Sequence, residues 1–197
     1  MKELYLLSQK IEENREAFDR AFPIKTASDI VKNDFVLSGR RATFYHINGM
    51  LDNECMMKIY TALLNVNTGE LDRYSSIQDF SKEHIPYTDY KTENIFDKLI
   101  TALLSAQSIL IIDGFSSGLI LDTKKFPSRS IEEPEKNKTM RGPRDGFCEN
   151  ILTNTALVRR RIKSTDLSFE SFDIGKETKT RVMLGYMKNK ADEDFLK

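Results

Sequence analysis

The sequence predicts an α/β fold: a mixed β-sheet flanked by helices, then a C-terminal linker helix and the start of a second, similar subdomain. Three observations predict it. Ser108-Ile-Leu-Ile-Ile-Asp113 puts four aliphatics in a row, the pattern of a central strand covered on both faces. Leu119–Thr123 returns after the tight connection Gly114-Phe-Ser-Ser-Gly118, so the pair reads as an antiparallel hairpin. Ahead of that hairpin, helical and strand-like segments alternate, which calls for helices packed on a sheet.

Taken in order, Glu3–Phe22 carries Leu4, Leu7, Ile11 and Phe18 at helical spacing and stops before Pro23; it reads as a peripheral helix, with partner binding as the alternative. Asp29–Ser38 is mixed and reads as a short helix or turn. Arg41–Ile47 is β-rich and stops at Asn48-Gly49. Asp52 is placed to cap a helix from Asn53 to Leu64 whose inner face holds Met56, Ile59, Tyr60 and Leu63. His46, inside the strand, reads as a core or rim histidine. A short helix follows over Ser76–Glu83. Ile85–Tyr90 is extended and, with Pro86, fits an edge. Thr92 is placed to cap a helix over Glu93–Ser105 with a broad apolar face.

The end of the chain echoes an earlier part. When Arg40–Met57 is aligned with Thr180–Lys197, Arg41 meets Arg181 and Asp52 meets Asp192. Ala42, Phe44 and Ile47 meet Val182, Leu184 and Met187. On this alignment the chain stops as a second copy begins, and one strand with one helical turn cannot bury a core alone. Leu167–Ile174 and Lys179–Met187 are expected to form a hairpin across Gly175. The domain organisation that follows is a helical segment over 1–28, a first α/β subdomain over 29–128, a connecting loop and linker helix over 129–165, and the start of a second subdomain over 166–197.

The connector carries the densest chemistry. Between Asp122 and Arg144 there is no periodicity, and Pro127, Pro134 and Pro143 punctuate the run. Arg129, Arg141 and Arg144 offer planar forks to the carboxylates of Glu132 and Glu133, an arrangement suited to an intramolecular clasp. Asp145 is placed to cap a helix over Gly146–Lys163 with an apolar stripe at Phe147, Ile151, Val158 and Ile162. Glu149 opens that helix and Arg159, Arg160, Arg161 and Lys163 close it. This complements the helix macrodipole by roughly 0.3–1 kcal/mol per charge. Asn154 lies on the same helix and joins Arg159, Arg160 and Arg161 as a candidate interface residue.

Composition excludes several function classes. Lys+Arg and Asp+Glu balance at 30 each, so no global field draws nucleic acid or anionic lipid. No apolar run approaches the about 18 residues of a spanning helix. Cys55 and Cys148 lack CxxC spacing and read as free thiols, and with two histidines a Cys/His metal site is not expected. No phosphate loop, nucleophile elbow or cofactor motif occurs. Glu132 and Glu133 lack a partner for acid–base work, so neither an enzyme nor a cofactor is expected.

The segments RSIEEPE, RGPRDGFCENILTNTALVRRRIK and GKETKTRV resemble the signature of the GerA family of spore germination proteins, the A subunits of nutrient germinant receptors. FPSRSIEEPE and HIPYTDYKTENIFDKLI are also similar to the stage V sporulation protein AF branch of that family, and both branches stay open. The resemblance covers Arg41 to Met187. Cys148 departs from the small aliphatic or Thr usual there, and Gly175-Lys176-Glu177 from a more basic turn. The resemblance implies a soluble region of two α/β subdomains ahead of a multi-helix membrane domain that this chain lacks. It implies a place in the spore inner membrane with this region on the cytoplasmic, spore-core side. The implied partners are other subunits of a germination complex and further copies of the chain, with no nucleic acid. The role so implied is assembly, gating or signal transmission without catalysis. A small-molecule, nutrient-binding module is the alternative.

Overall fold

The computed structural model describes residues 5–22, 27–85, 89–126, 146–192 and 194. A five-stranded sheet forms the centre. Its strands are β1 (Ile30–Leu37), β2 (Arg40–Ile47), β3 (Tyr90–Glu93), β4 (Ser108–Ile112) and β5 (Gly118–Leu121), in spatial order β1-β2-β4-β5-β3. Every neighbouring pair is antiparallel, so the expected mixed sheet is corrected to an antiparallel one. The physical reason lies in β1. Lys32, Asn33 and Asp34 interrupt its apolar residues because it is an edge strand with its middle toward solvent, so its sequence lacks clean alternation. The stretch read as a helix or turn is therefore the first arm of a hairpin with β2. β4 is buried at all five positions, in keeping with its aliphatic run.

Helices cover both faces. α1 (Ile11–Ala21) and α4 (Phe96–Leu104) pack with Tyr45, Ile47, Ile109 and Ile111 on one side. α2 (Asn53–Leu64) and α3 (Ile77–His84) pack with Ala42, Phe44, Leu110 and Ile112 on the other. The alternation of these strand residues between two cores is the period-two pleat at work. α1 is not peripheral: Ile11 and Phe18 are fully buried, and Phe18 stacks on Tyr45 with ring centroids 4.2 Å apart. It also begins later than predicted, at Ile11.

Three helix starts illustrate how capping decides boundaries. Asp52 caps α2 as predicted, accepting from the N–H of Glu54 at 3.0 Å and Cys55 at 3.2 Å. α4 begins at Phe96, because Thr92 and Glu93 are spent on the ladder with β5. The Glu93 carboxylate accepts from the N–H of Asn94 and Ile95, both at 3.0 Å, which leads the chain from strand to helix. α5 spans Ile151–Arg161 rather than Gly146–Lys163. Asn150 is its cap, accepting from Leu152 N–H at 2.9 Å and Thr153 N–H at 3.2 Å. The expected cap Asp145 lies outside the described residues.

Beyond α5, β6 (Leu167–Ile174) and β7 (Thr180–Met187) form the hairpin anticipated across Gly175. Gly175 takes φ +91° there, a left-handed turn conformation that suits glycine. No described helix is long and apolar enough to cross a membrane.

Candidate functional site

The arginine triplet at the end of α5 splits three ways. Arg159 turns inward and is fully buried. Its guanidinium grips Asp29 bidentately, Nε to Oδ2 at 2.5 Å and Nη2 to Oδ1 at 3.1 Å. Nη1 donates to the Ser164 carbonyl at 2.7 Å and Nη2 to the Leu167 carbonyl at 2.9 Å. The same cation lies 5.5 Å from the Phe169 ring centroid. Asp29 immediately precedes β1, and its carbonyl accepts from Asn48 N–H at 2.8 Å. Next to it, Ser28 N–H donates to the Phe169 carbonyl at 2.8 Å. One side chain thus joins the first sheet, the connecting helix and the hairpin. The planar fork satisfies both carboxylate oxygens, which lysine cannot do.

Arg160 stacks over Phe126, 4.4 Å from the ring centroid, and Arg161 faces outward. Asn154 lies at the edge of the groove between α5 and the hairpin. It folds back on the chain entering α5, accepting from Cys148 N–H at 2.7 Å and donating to the Cys148 carbonyl at 2.6 Å. Arg129, Glu132, Glu133, Arg141 and Arg144, the members of the expected clasp, lie outside the described residues, as does Asp145. The apolar stripe predicted on α5 is not its buried face. Thr155, Ala156 and Arg159 are buried instead, while Phe147 is exposed. The face holding Ile151, Val158 and Ile162 looks into a groove of about 600 Å³ that Phe169, Met183 and Met187 close from the hairpin side.

Sequence reasoning gave Asp29 no role. An aspartate at the head of a mixed segment carries no signal until its buried partner, far along the chain, is placed beside it.

A second cleft, of about 370 Å³, opens where α5 meets the end of β2. Asn48-Gly49 turns the chain out of β2, and Gly49 holds φ +80°. A Cβ there would come within 3.0 Å of the Leu152 carbonyl and 3.4 Å of Ala156 Cβ, so glycine lets α5 ride directly on the turn. His46, Asn53, Lys125, Asn150 and Thr153 line the cleft with polar groups. Leu51, Phe126 and Leu152 supply its apolar wall. Lys125 is held in place by its own N–H, which donates to the Met50 carbonyl at 2.9 Å. Its ammonium pairs with Asp52 at 3.4 Å. The Asp52 carboxyl is held below the usual carboxylate range, first by the Cys55 N–H and then by Lys125. Burial pushes the His46 imidazole down to about 4, so the ring is neutral at ordinary pH. Among the described residues no cluster of His, Cys, Asp and Glu has the arrangement of a metal site.

A family model described as Bacillus/Clostridium GerA spore germination protein matches residues 18–197. The chain belongs to the GerA family. It is 28% identical to stage V sporulation protein AF of Bacillus subtilis (strain 168) over 183 residues, 93% of this chain and 37% of that protein. It is 32% identical over 189 residues to the uncharacterized membrane protein YfkQ of the same organism, covering 94% of this chain and 36% of that one. The chain therefore spans little more than a third of the length of these relatives. In three dimensions it is similar to the crystal structure of the N-terminal domain of the A subunit of a Bacillus megaterium spore germinant receptor. That match has a TM-score of 0.75 at 25% identity and covers 99% of this chain and 71% of the other. Both family branches are thus represented among the similar proteins.

Proposed function

We propose that this GerA-family chain is the N-terminal region of a spore germination protein, contributing assembly, gating or signal transmission and no catalysis. The observation that carries the reading is the buried Arg159–Asp29 pair. A buried ion pair adds little net stability, yet breaking it is costly, so it favours one relative placement of the parts it joins. Here those parts are the first sheet, α5 and the β6–β7 hairpin. Such a joint suits a connector that passes position from one unit to the next. Arg161 and the candidate residues of the loop before α5 would then serve contacts with other subunits of a germination complex, including further copies of the chain. The place of action would be the spore inner membrane, with this region on the spore-core side.

Residues 166–197 would open a second unit similar to the first. The alignment of β7 with β2 supports this, as do Phe172, Ile174, Val182 and Leu184, apolar side chains that stand exposed on the hairpin and call for cover.

The test is made in the gene that encodes this chain, at its own locus. Arg159→Ala and the surface pair Arg160→Ala/Arg161→Ala are introduced separately, and germination rate and the level of the protein in the spore are measured. A loss of response in the Arg159 variant, together with a reduced response in the surface pair at unchanged protein level, supports the connector and contact roles. Normal germination in both variants removes them.

A further inference from the structure

The cleft at the end of β2 has the makings of a ligand site, and the connector role does not depend on it. His46 is the starting point. It is nine-tenths buried, lines the cleft, and has no hydrogen-bond partner among the described residues. Its Nδ1 is sealed from solvent without a partner, whereas Nε2 is not sealed. A proton on Nδ1 would trap an N–H with nothing to accept it, and native structures rarely leave a buried donor orphaned. The neutral ring therefore carries its proton on Nε2 and offers a donor at the cleft.

Asn150 and Lys125 add further donors. Asn150 spends its Oδ1 on two backbone N–H groups of α5, which fixes the amide and leaves its Nδ2 without a partner among the described residues. Asn53 opens α2 and Asn150 caps α5, so the positive ends of two helix dipoles converge on the cleft. Among the described lining residues Lys125 brings the cation, shared with Asp52. Asp52 itself is engaged by the α2 cap and by Lys125, so the carboxylate nearest the cleft is already neutralised.

From this geometry we propose that the cleft binds a small organic carboxylate, its oxygens received by His46, Lys125 and Asn150 and its hydrocarbon part lying against Leu51, Phe126 and Leu152. The charge argues for a monoanion, because among the described lining residues one lysine, shared with an aspartate, supplies the positive charge, and that does not balance a dianion such as phosphate. The size argues for an organic body, since about 370 Å³ lies within the range of small-molecule pockets and is far more than a bare ion fills. Phe126 is steadied from outside by Arg160, which keeps the wall of the cleft in place. A ligand held there would touch both the first sheet and the N-terminal end of α5, the end opposite the Arg159 joint.

The test titrates the isotopically labelled chain with sodium butyrate, sodium benzoate and inorganic phosphate at constant ionic strength, reading the His46 ring and the Thr153 amide by NMR. Butyrate or benzoate is expected to give saturable shifts at both positions, with phosphate far weaker. Lys125→Met, on a solvent-facing side chain, should weaken binding by about tenfold or more, equivalent to about 1.4 kcal/mol, while leaving the spectrum of a folded chain. His46→Phe serves as the second variant and should abolish the Thr153 shift. The proposal is overturned if neither carboxylate gives a saturable shift, if Lys125→Met binds as well as the parent chain, or if phosphate binds as tightly as the carboxylates.

Discussion

Two hairpins in this molecule have similar local construction and different fates. The β1–β2 hairpin lies inside a layered sandwich, and from Ala42 to Ile47 every β2 residue is buried. In β7 no residue is buried. Both hairpins run eight paired positions in antiparallel register, and Val182 and Leu184 in β7 stand where Ala42 and Phe44 stand in the alignment with β2. The difference teaches that strand pairing is a local matter, decided by β-forming residues and a turn glycine. Burial depends on what packs above and below. α1 and α4 close one face of the first sheet and α2 and α3 the other, whereas at the second hairpin Leu167, Phe169, Met183 and Met187 line an open groove with α5.

Matched truncations break the comparison most strongly. Phe44→Ala should cost about 3–5 kcal/mol, because a fully buried ring leaves a cavity. Leu184→Ala, at the aligned position, should cost about 1 kcal/mol or less, since that side chain is 41% exposed. Urea denaturation of both variants checks the pair, and equal losses would mean that the second hairpin is covered after all. Arg159→Ala should cost about 3–5 kcal/mol by leaving Asp29 charged and buried without its partner. Hydrogen exchange should then rise first at β6, whose Leu167 and Phe169 carbonyls are held through Arg159 and Ser28. Uniform exchange across the five-stranded sheet and the β6–β7 hairpin would show that the joint is not what links them.

Smaller effects sharpen the picture around the cleft. His46 has its proton affinity lowered in the fold, to a pKa of about 4, so the unfolded chain binds the extra proton first. Stability from this group is fully present above the ordinary histidine value near 6.5. It falls as the pH drops toward 4, by at most about 1.4 kcal/mol per pH unit. The denaturation midpoint of the parent chain, taken relative to that of His46→Phe, should fall as the pH drops through that window. A constant gap would show that the histidine is not buried as neutral imidazole. Asn150→Ala should cost about 1 kcal/mol through loss of the α5 cap, and Asn150→Ser much less. Circular dichroism melts distinguish the two.

Much of the fold can be read directly from residue patterns. The aliphatic run of β4, the β4–β5 hairpin, the Asp52 cap and the β6–β7 hairpin all depend on neighbours within a few residues. The departures share one cause. The charges of an edge strand hide β1, Thr92 looks like a cap until its ladder partner is in view, and apolar residues that face a groove instead of a core make α5 look longer than it is. The candidate site divides in the same way. Arg159, Arg160 and Arg161 drew attention as a charged helix end, but their separate roles follow from Asp29 and Phe126. His46 reads from the sequence as a core or rim histidine, and the cleft beside it exists only once Gly49 brings α5 against the turn.

By itself, then, the sequence determined the class of fold, most of its strands and turns, and membership of the GerA family, because periodicity, capping residues and family motifs are written along the chain. Tertiary structure alone decided which of three successive arginines is buried, which hairpin is enclosed, and where polar groups converge without partners. Those outcomes depend on contacts between residues far apart in the chain, as with Asp29 and Arg159, and a buried charge reveals its purpose only when the group that neutralises it is in view.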